Sequence, residues 1–158
     1  MTRNFEITGQ RGEALVAEYL AKLKQQNEIR SFKWMNQSTE TGMPYDFEIQ
    51  QNTGALIYSD VKTTSYTFNQ KMIFSGSELK FIQQNSSYEI FRVYDLNTAM
   101  PHLKVCNNIN SLSIPLVRDI RTFEMALQTN NVSMDSVKIA VVPTIPILTF
   151  GDEINLVA

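Results

Sequence analysis

Pro44-Tyr45-Asp46-Phe47-Glu48-Ile49 and Ala55-Leu56-Ile57-Tyr58-Ser59-Asp60-Val61-Lys62 are two short apolar-rich segments, with thirteen residues lying between Asp46 and Asp60. Side chains two apart on a strand share a face, so Asp60 and Lys62 point the same way. The second segment is apolar until it reaches that charged pair, and so carries it to a sheet rim or cleft. Between the two segments, Gln51-Asn52-Thr53-Gly54 has the chemistry of a hairpin turn, with Gly54 free to take a positive φ. Antiparallel pairing across that turn brings Asp46, at the start of one strand, beside Asp60, near the end of the other.

Two carboxylates held together repel and share a proton unless a cation neutralises them; hard oxygen donors favour Mg²⁺ or Mn²⁺. Lys62 alone is too little positive charge for that. It is better suited to orienting an attacking water or offsetting charge on a phosphoryl transition state. An isolated Asp-x-Lys is ordinarily a surface pair, so the reading rests on the whole constellation.

The first helix is expected from Thr8, as N-cap, to about Gln26, with Val16, Tyr19, Leu20 and Leu23 on its apolar face. Glu13 then falls in its first turn, beside the buried stripe. The helix dipole alone favours an acid there; beside the Asp46/Asp60 pair, and with Gly9 and Gly12 permitting close approach, Glu13 is read as a third acidic group, acting on a metal directly or through water. Ile29 to Trp34 reads as a strand, and 36–42 as a polar loop in which Asn36 and Glu40 either border a substrate path or serve the turn. Tyr45 is expected to bury its ring and turn its hydroxyl to the site. Thr63 and Thr64 are candidate phosphate positioners, and equally good strand or turn residues. Ser75-x-x-Glu78 is a capping box for a helix over 77–84, its serine worth about 1 kcal/mol. Tyr88 to Asp95 reads as a central strand, 103–106 as another, 116–128 as a helix and 137–142 as a buried strand. The expected class is α/β, a mixed central sheet flanked by helices, with a core over 1–104 and an extension over 105–158 packed on it.

Composition excludes several alternatives. Hydrophobic residues are 43% and charged residues 19% of 158, which suits a folded domain with a core. One cysteine and one histidine exclude an internal disulfide and a cysteine-rich zinc site. No run approaches a membrane span and no secretory pattern opens the chain, so a cytoplasmic protein with no membrane partner is expected. The net charge of −2 does not advertise a nucleic-acid binder. Cation binding by Glu13, Asp46 and Asp60 would leave residues 1–104 effectively positive, since that part holds eleven basic and eleven acidic residues. Lys22, Lys24, Arg30, Lys33, Lys71, Lys80 and Arg92 are then available for phosphate contacts or are solvated surface charges.

The pair Pro44-Tyr45-Asp46 and Asp60-Val61-Lys62 resembles the bipartite motif of the PD-(D/E)XK, or restriction-endonuclease-like, nuclease superfamily. With Gly9-Gln10-Arg11-Gly12-Glu13, Trp34-x-Asn36, Ser75-x-x-Glu78-Leu79 and Tyr88-x-Ile90-Phe91-x-Val93, residues 9–95 look like a branch of small endonuclease-like domains attached to ATPase, helicase or other modules of prokaryotic defence proteins. Asp60 stands where glutamate is commoner in that branch. The resemblance implies a metal-dependent endonuclease acting on nucleic acid, with DNA the expected substrate. Asp46, Asp60, the Val61 carbonyl and Glu13 would be ligands for one or two Mg²⁺ or Mn²⁺ ions. Lys62 would be catalytic, with Tyr45, Ser75 and Glu78 in support. It also implies a restriction or phage-defence role, with a homodimer or an ATPase/helicase module as partner. The other reading is a catalytically silent nuclease-fold module that binds nucleic acid or protein. On the nuclease reading, removing Asp60 or Lys62 is expected to abolish cleavage and leave the fold intact.

Overall fold

The computed structural model describes residues 2–37 and 42–156, with side chains from Ile7 onward. The elements are α1 (Thr2–Gln25), β1 (Ser31–Trp34), β2 (Phe47–Gln50), β3 (Leu56–Thr63), β4 (Met72–Ser75), α2 (Gly76–Gln84), β5 (Tyr88–Tyr94), β6 (His102–Cys106), α3 (Asn110–Thr129), β7 (Lys138–Val141) and β8 (Ile154–Asn155). Among the described residues six strands form one mixed sheet in the order β1-β2-β3-β5-β6-β8, flanked by helices as the sequence implies. β3 and β5 run parallel, which requires a long crossover, and β4 with α2 supplies it. No helix among the described residues is long and apolar enough to cross a membrane.

Alternation along the strands sends apolar side chains to both faces. Phe47, Ile49, Phe91, Val93 and Leu103 pack beneath Val16 and Leu20 of α1. Ile90, Tyr88 and Cys106 pack with Leu79 and Ile82 of α2 and Val117 and Ile120 of α3. β5 is covered on both faces and is buried along nearly its whole length, which is why its sequence reads as an almost unbroken apolar run.

Three boundaries differ from those the sequence suggests. α1 begins at Thr2, so Thr8 is a helix-interior residue and Glu13 lies well past the first turn. Nothing in 2–7 breaks a helix, and a good N-cap residue does not by itself end one. α3 begins at Asn110 and takes in Pro115, whose φ is already helical; the lost hydrogen bond is offset by burial of Ser113, Val117 and Ile120. β7 is not a buried strand, because Lys138 and Ala140 are exposed and it pairs with β4 outside the main sheet. The last described strand, β8, pairs with β6 through His102↔Asn155 and Leu103↔Ile154.

The two glycines of α1 differ sharply in surroundings. A Cβ on Gly12 would lie 1.8 Å from Thr63 Oγ1 and 2.8 Å from Thr63 Cβ, whereas one on Gly9 meets nothing within 4 Å. Gly12 therefore sets how closely α1 approaches the end of β3. Gly12→Ala is expected to destabilise by about 1–3 kcal/mol through overpacking, and Gly9→Ala to stabilise by about 0.5–1 kcal/mol. Urea denaturation of the two variants checks the opposite signs.

Candidate functional site

The Gln51–Gly54 turn closes with Gly54 at φ +90°, and β2 pairs with β3 through Phe47↔Ser59. The Asp46 N–H donates to the Ser59 carbonyl at 2.8 Å, which continues the pairing and sets Asp46 alongside Asp60. The Asp46 carboxyl is held on two sides: Oδ2 accepts from the Val61 N–H at 2.8 Å and Oδ1 from Asn36 Nδ2 at 3.0 Å. It also shares a hydrogen bond with Asp60. Lys62 Nζ lies 2.7 Å from Asp60 Oδ2 and 2.8 Å from Glu78 Oε2, and 4.7 Å from the centre of the Phe74 ring.

Glu78 comes to the lysine through local helix chemistry. Ser75 caps α2: its Oγ accepts from the Glu78 N–H at 3.1 Å, and Glu78 Oε1 accepts from the Ser75 N–H at 3.2 Å. That folds the Glu78 side chain back towards the strands and leaves its second oxygen for Lys62. An open cleft of about 520 Å³ gives onto Asp46, Asp60 and Glu78, with Ser77, Lys80 and Phe81 on its wall.

Burial pushes the Asp46 carboxyl up to about 10, reinforced by the Asp60 charge, their shared hydrogen bond and the Glu13 charge; the Val61 N–H pulls the other way. Burial also raises Asp60, but the Lys62 ammonium outweighs it and holds Asp60 below the usual carboxylate range. Burial lowers Lys62, and the charges of Asp60 and Glu78 more than reverse this. Glu78 is raised by burial and by Asp60. The resting pair is thus a protonated Asp46 beside an ionised Asp60. Asp60 Oδ2 is buried, with the Lys62 ammonium 2.7 Å away. Two converging hard oxygen donors, one raised by burial and by its acidic neighbour and one ionised against Lys62, fit a divalent cation. Among the described residues no three Asp, Glu, His or Cys side chains form a ready-made metal cage, so a cation here would depend on two carboxylates, with backbone and water completing the shell.

The remaining candidates fall into place unevenly. Glu13 belongs to the helix on the other face of the sheet, where its Oε1 accepts from Trp34 Nε1 at 3.0 Å. Its charge still reaches Asp46, and from its interior position in α1 the helix dipole no longer accounts for it. Asn36 serves Asp46, while Glu40 lies outside the described residues. At Val61 the group in contact with the site is the N–H. The Tyr45 ring is buried against Tyr58 and Phe81, but its hydroxyl donates to Glu48 at 2.9 Å and not to the acidic pair. Thr64 Oγ1 accepts from the Tyr66 N–H at 3.1 Å, a turn role, and Thr63 Oγ1 is buried beneath Gly12. Arg92, read as a possible surface contact, is 1% exposed. Its place inside the apolar stretch Ile90–Tyr94 of β5 was the available signal that it is not a surface residue.

The family model described as Protein NO VEIN, C-terminal, matches residues 12–106, a span that holds Glu13, Asp46, Asp60, Lys62 and Glu78. Protein NO VEIN of Arabidopsis thaliana is 34% identical over 87 residues, which is 54% of this chain and 3% of that protein. The chain therefore spans a small fraction of the relative it matches. No solved structure matches the chain.

Proposed function

We propose, for a chain that belongs to the Protein NO VEIN C-terminal family, the activity of a metal-dependent endonuclease of PD-(D/E)XK type that hydrolyses phosphodiester bonds of nucleic acid, DNA before RNA. The single observation that supports it is the Asp46–Asp60–Lys62 arrangement: two facing carboxylates at an open cleft, with a lysine held against one of them. One or two Mg²⁺ or Mn²⁺ ions bound by Asp46 and Asp60 would supply a water of lowered pKa and a polarised phosphate. Asn36 and the Val61 N–H fix the Asp46 carboxylate, so that it is oriented before any cation arrives. Lys62, steadied by Glu78, presents its ammonium where negative charge develops on the phosphoryl group. Glu13 acts at longer range, through its charge on Asp46. A cytoplasmic location, a restriction or defence role, and assembly as a homodimer or with an ATPase/helicase module belong to the same proposal.

A second reading is a catalytically silent module of nuclease fold that binds nucleic acid or protein. It is favoured by the absence, among the described residues, of a three-ligand cluster. Supercoiled plasmid incubated with the chain in Mg²⁺ or Mn²⁺ separates the two. The nuclease reading expects nicking that is lost with chelator and in Asp60→Ala, a substitution that leaves Lys62 paired with Glu78. No nicking, together with no Mn²⁺ binding, would leave the silent module.

A further inference from the structure

We propose that the groove at the carboxyl end of β3, lined by Lys62, Thr63, Thr64, Ser65, Lys71 and Arg92, is a phosphate-binding subsite. Its volume is about 430 Å³ and it is open to solvent. Arg92 stands directly beside Lys62 across the parallel β3–β5 pair, on the same face of the sheet. The subsite is therefore an immediate neighbour of the acidic pair and distinct from the cleft above it.

Three observations point to an anion. First, the Arg92 guanidinium is almost completely buried, yet no carboxylate pairs with it among the described residues. Its acceptors are the backbone carbonyls of Lys62 and Phe68, each at 3.4 Å, and of Gln70. Carbonyls satisfy donors but leave the charge unbalanced, and burial accordingly lowers Arg92 to about 10, which still keeps it charged at neutral pH. Second, Arg92 Nε is a buried donor without a partner among the described residues, and Arg92 is part of the groove lining. A guanidinium nitrogen only donates, so the missing partner is a group that carries acceptor oxygens. Third, the bonds to the Lys62 and Phe68 carbonyls are long, and a phosphate oxygen accepting from the guanidinium makes shorter, charge-assisted ones. Exposed Lys71 at the rim adds a second cation.

The phosphate comes either from a nucleic-acid strand crossing the cleft, in which case it is the one next to the scissile phosphate and this part rests on the nuclease reading, or from free phosphate. The test uses the full chain in chelator at low ionic strength, titrated with inorganic phosphate and followed by NMR. Saturable shifts are expected at the Thr64 and Ser65 amides and at Arg92 Nε–H. Affinity should fall about ten-fold or more in Arg92→Gln and in Lys71→Glu; should Arg92→Gln fail to fold by circular dichroism, the surface variant Lys71→Glu carries the comparison. Absence of saturable shifts, or equal affinity in Lys71→Glu, overturns the subsite and leaves Arg92 as a brace for the loop over 64–71. A short single-stranded oligonucleotide, uncut in chelator, distinguishes the sources. Weaker binding to Lys71→Glu assigns the phosphate to a strand, and unchanged binding overturns that assignment. Plasmid nicking is scored separately, so phosphate binding without nicking sinks the nuclease reading alone, and nicking without phosphate binding sinks the subsite alone.

Discussion

Lys62→Met is expected to abolish nicking and to destabilise the protein by about 3–5 kcal/mol at the same time. The side chain is 13% exposed, and its ammonium lies between Asp60 and Glu78 at 2.7 and 2.8 Å. Taking it away leaves two carboxylates facing each other in a place water reaches poorly, beside a third at Asp46. The expectation from sequence, that the lysine could be removed without cost to the fold, does not allow for this pairing. Asp60→Ala is different, since it removes one negative charge from an acidic cluster and leaves a balanced Lys62–Glu78 pair. Adding Glu78→Gln to Lys62→Met removes one of the stranded charges and should restore part of the stability while restoring no nicking. Urea denaturation of the single and double variants, beside plasmid nicking, separates the two roles. An unchanged urea midpoint in Lys62→Met would sink the structural role, and full nicking would sink the catalytic one.

The part of the site that was legible in the sequence is the part built by local rules. A four-residue turn with one glycine at positive φ fixes the hairpin register, and that register brings Asp46 to Asp60. Ser75-x-x-Glu78 announces its own capping geometry, and the same fold-back delivers Glu78 to Lys62, although the spacing by itself does not say which cation waits there. The apolar run of Tyr88–Tyr94 shows a strand buried on both faces. What was not legible depends on contacts distant in the chain. β4 leaves the main sheet for β7, more than sixty residues later, and a period-two pattern carries no record of its partner. Gly12 meets Thr63 and Trp34 meets Glu13 across two elements that touch only after the sheet forms. Thr8 is a good cap in a place where the helix has already begun, which shifted Glu13 from an interior turn to the first. Arg92 has no local motif, and its burial follows from the centrality of the strand that carries it.

Asp46→Asn is expected to raise stability while removing metal binding and nicking. The folded protein holds the Asp46 proton up to about pH 10, whereas the unfolded chain releases it near an ordinary aspartate value of about 3.9. Between those values the folded state binds more protons than the unfolded one, so stability falls as pH rises through that window. Asparagine reproduces the protonated acid: its amide can donate to Asp60, its oxygen can accept from the Val61 N–H, and the Asn36 amide can turn over to match. In chelator near neutral pH the variant should therefore be more stable than the parent by a few kcal/mol, and the difference should widen with pH. Metal works in the opposite sense, because a cation displaces the proton: affinity for Mn²⁺ in the parent should rise with pH. Metal at roughly a hundred times its Kd should restore about 2.7 kcal/mol to the parent and nothing to Asp46→Asn. Thermal melts of both proteins across pH, with chelator and with Mn²⁺, measure all of this in one series. A parent whose melting temperature in chelator does not fall with rising pH would show that the pair does not hold a proton. An Asp46→Asn protein that still gains stability from Mn²⁺ would show that the cation, if it binds, binds elsewhere.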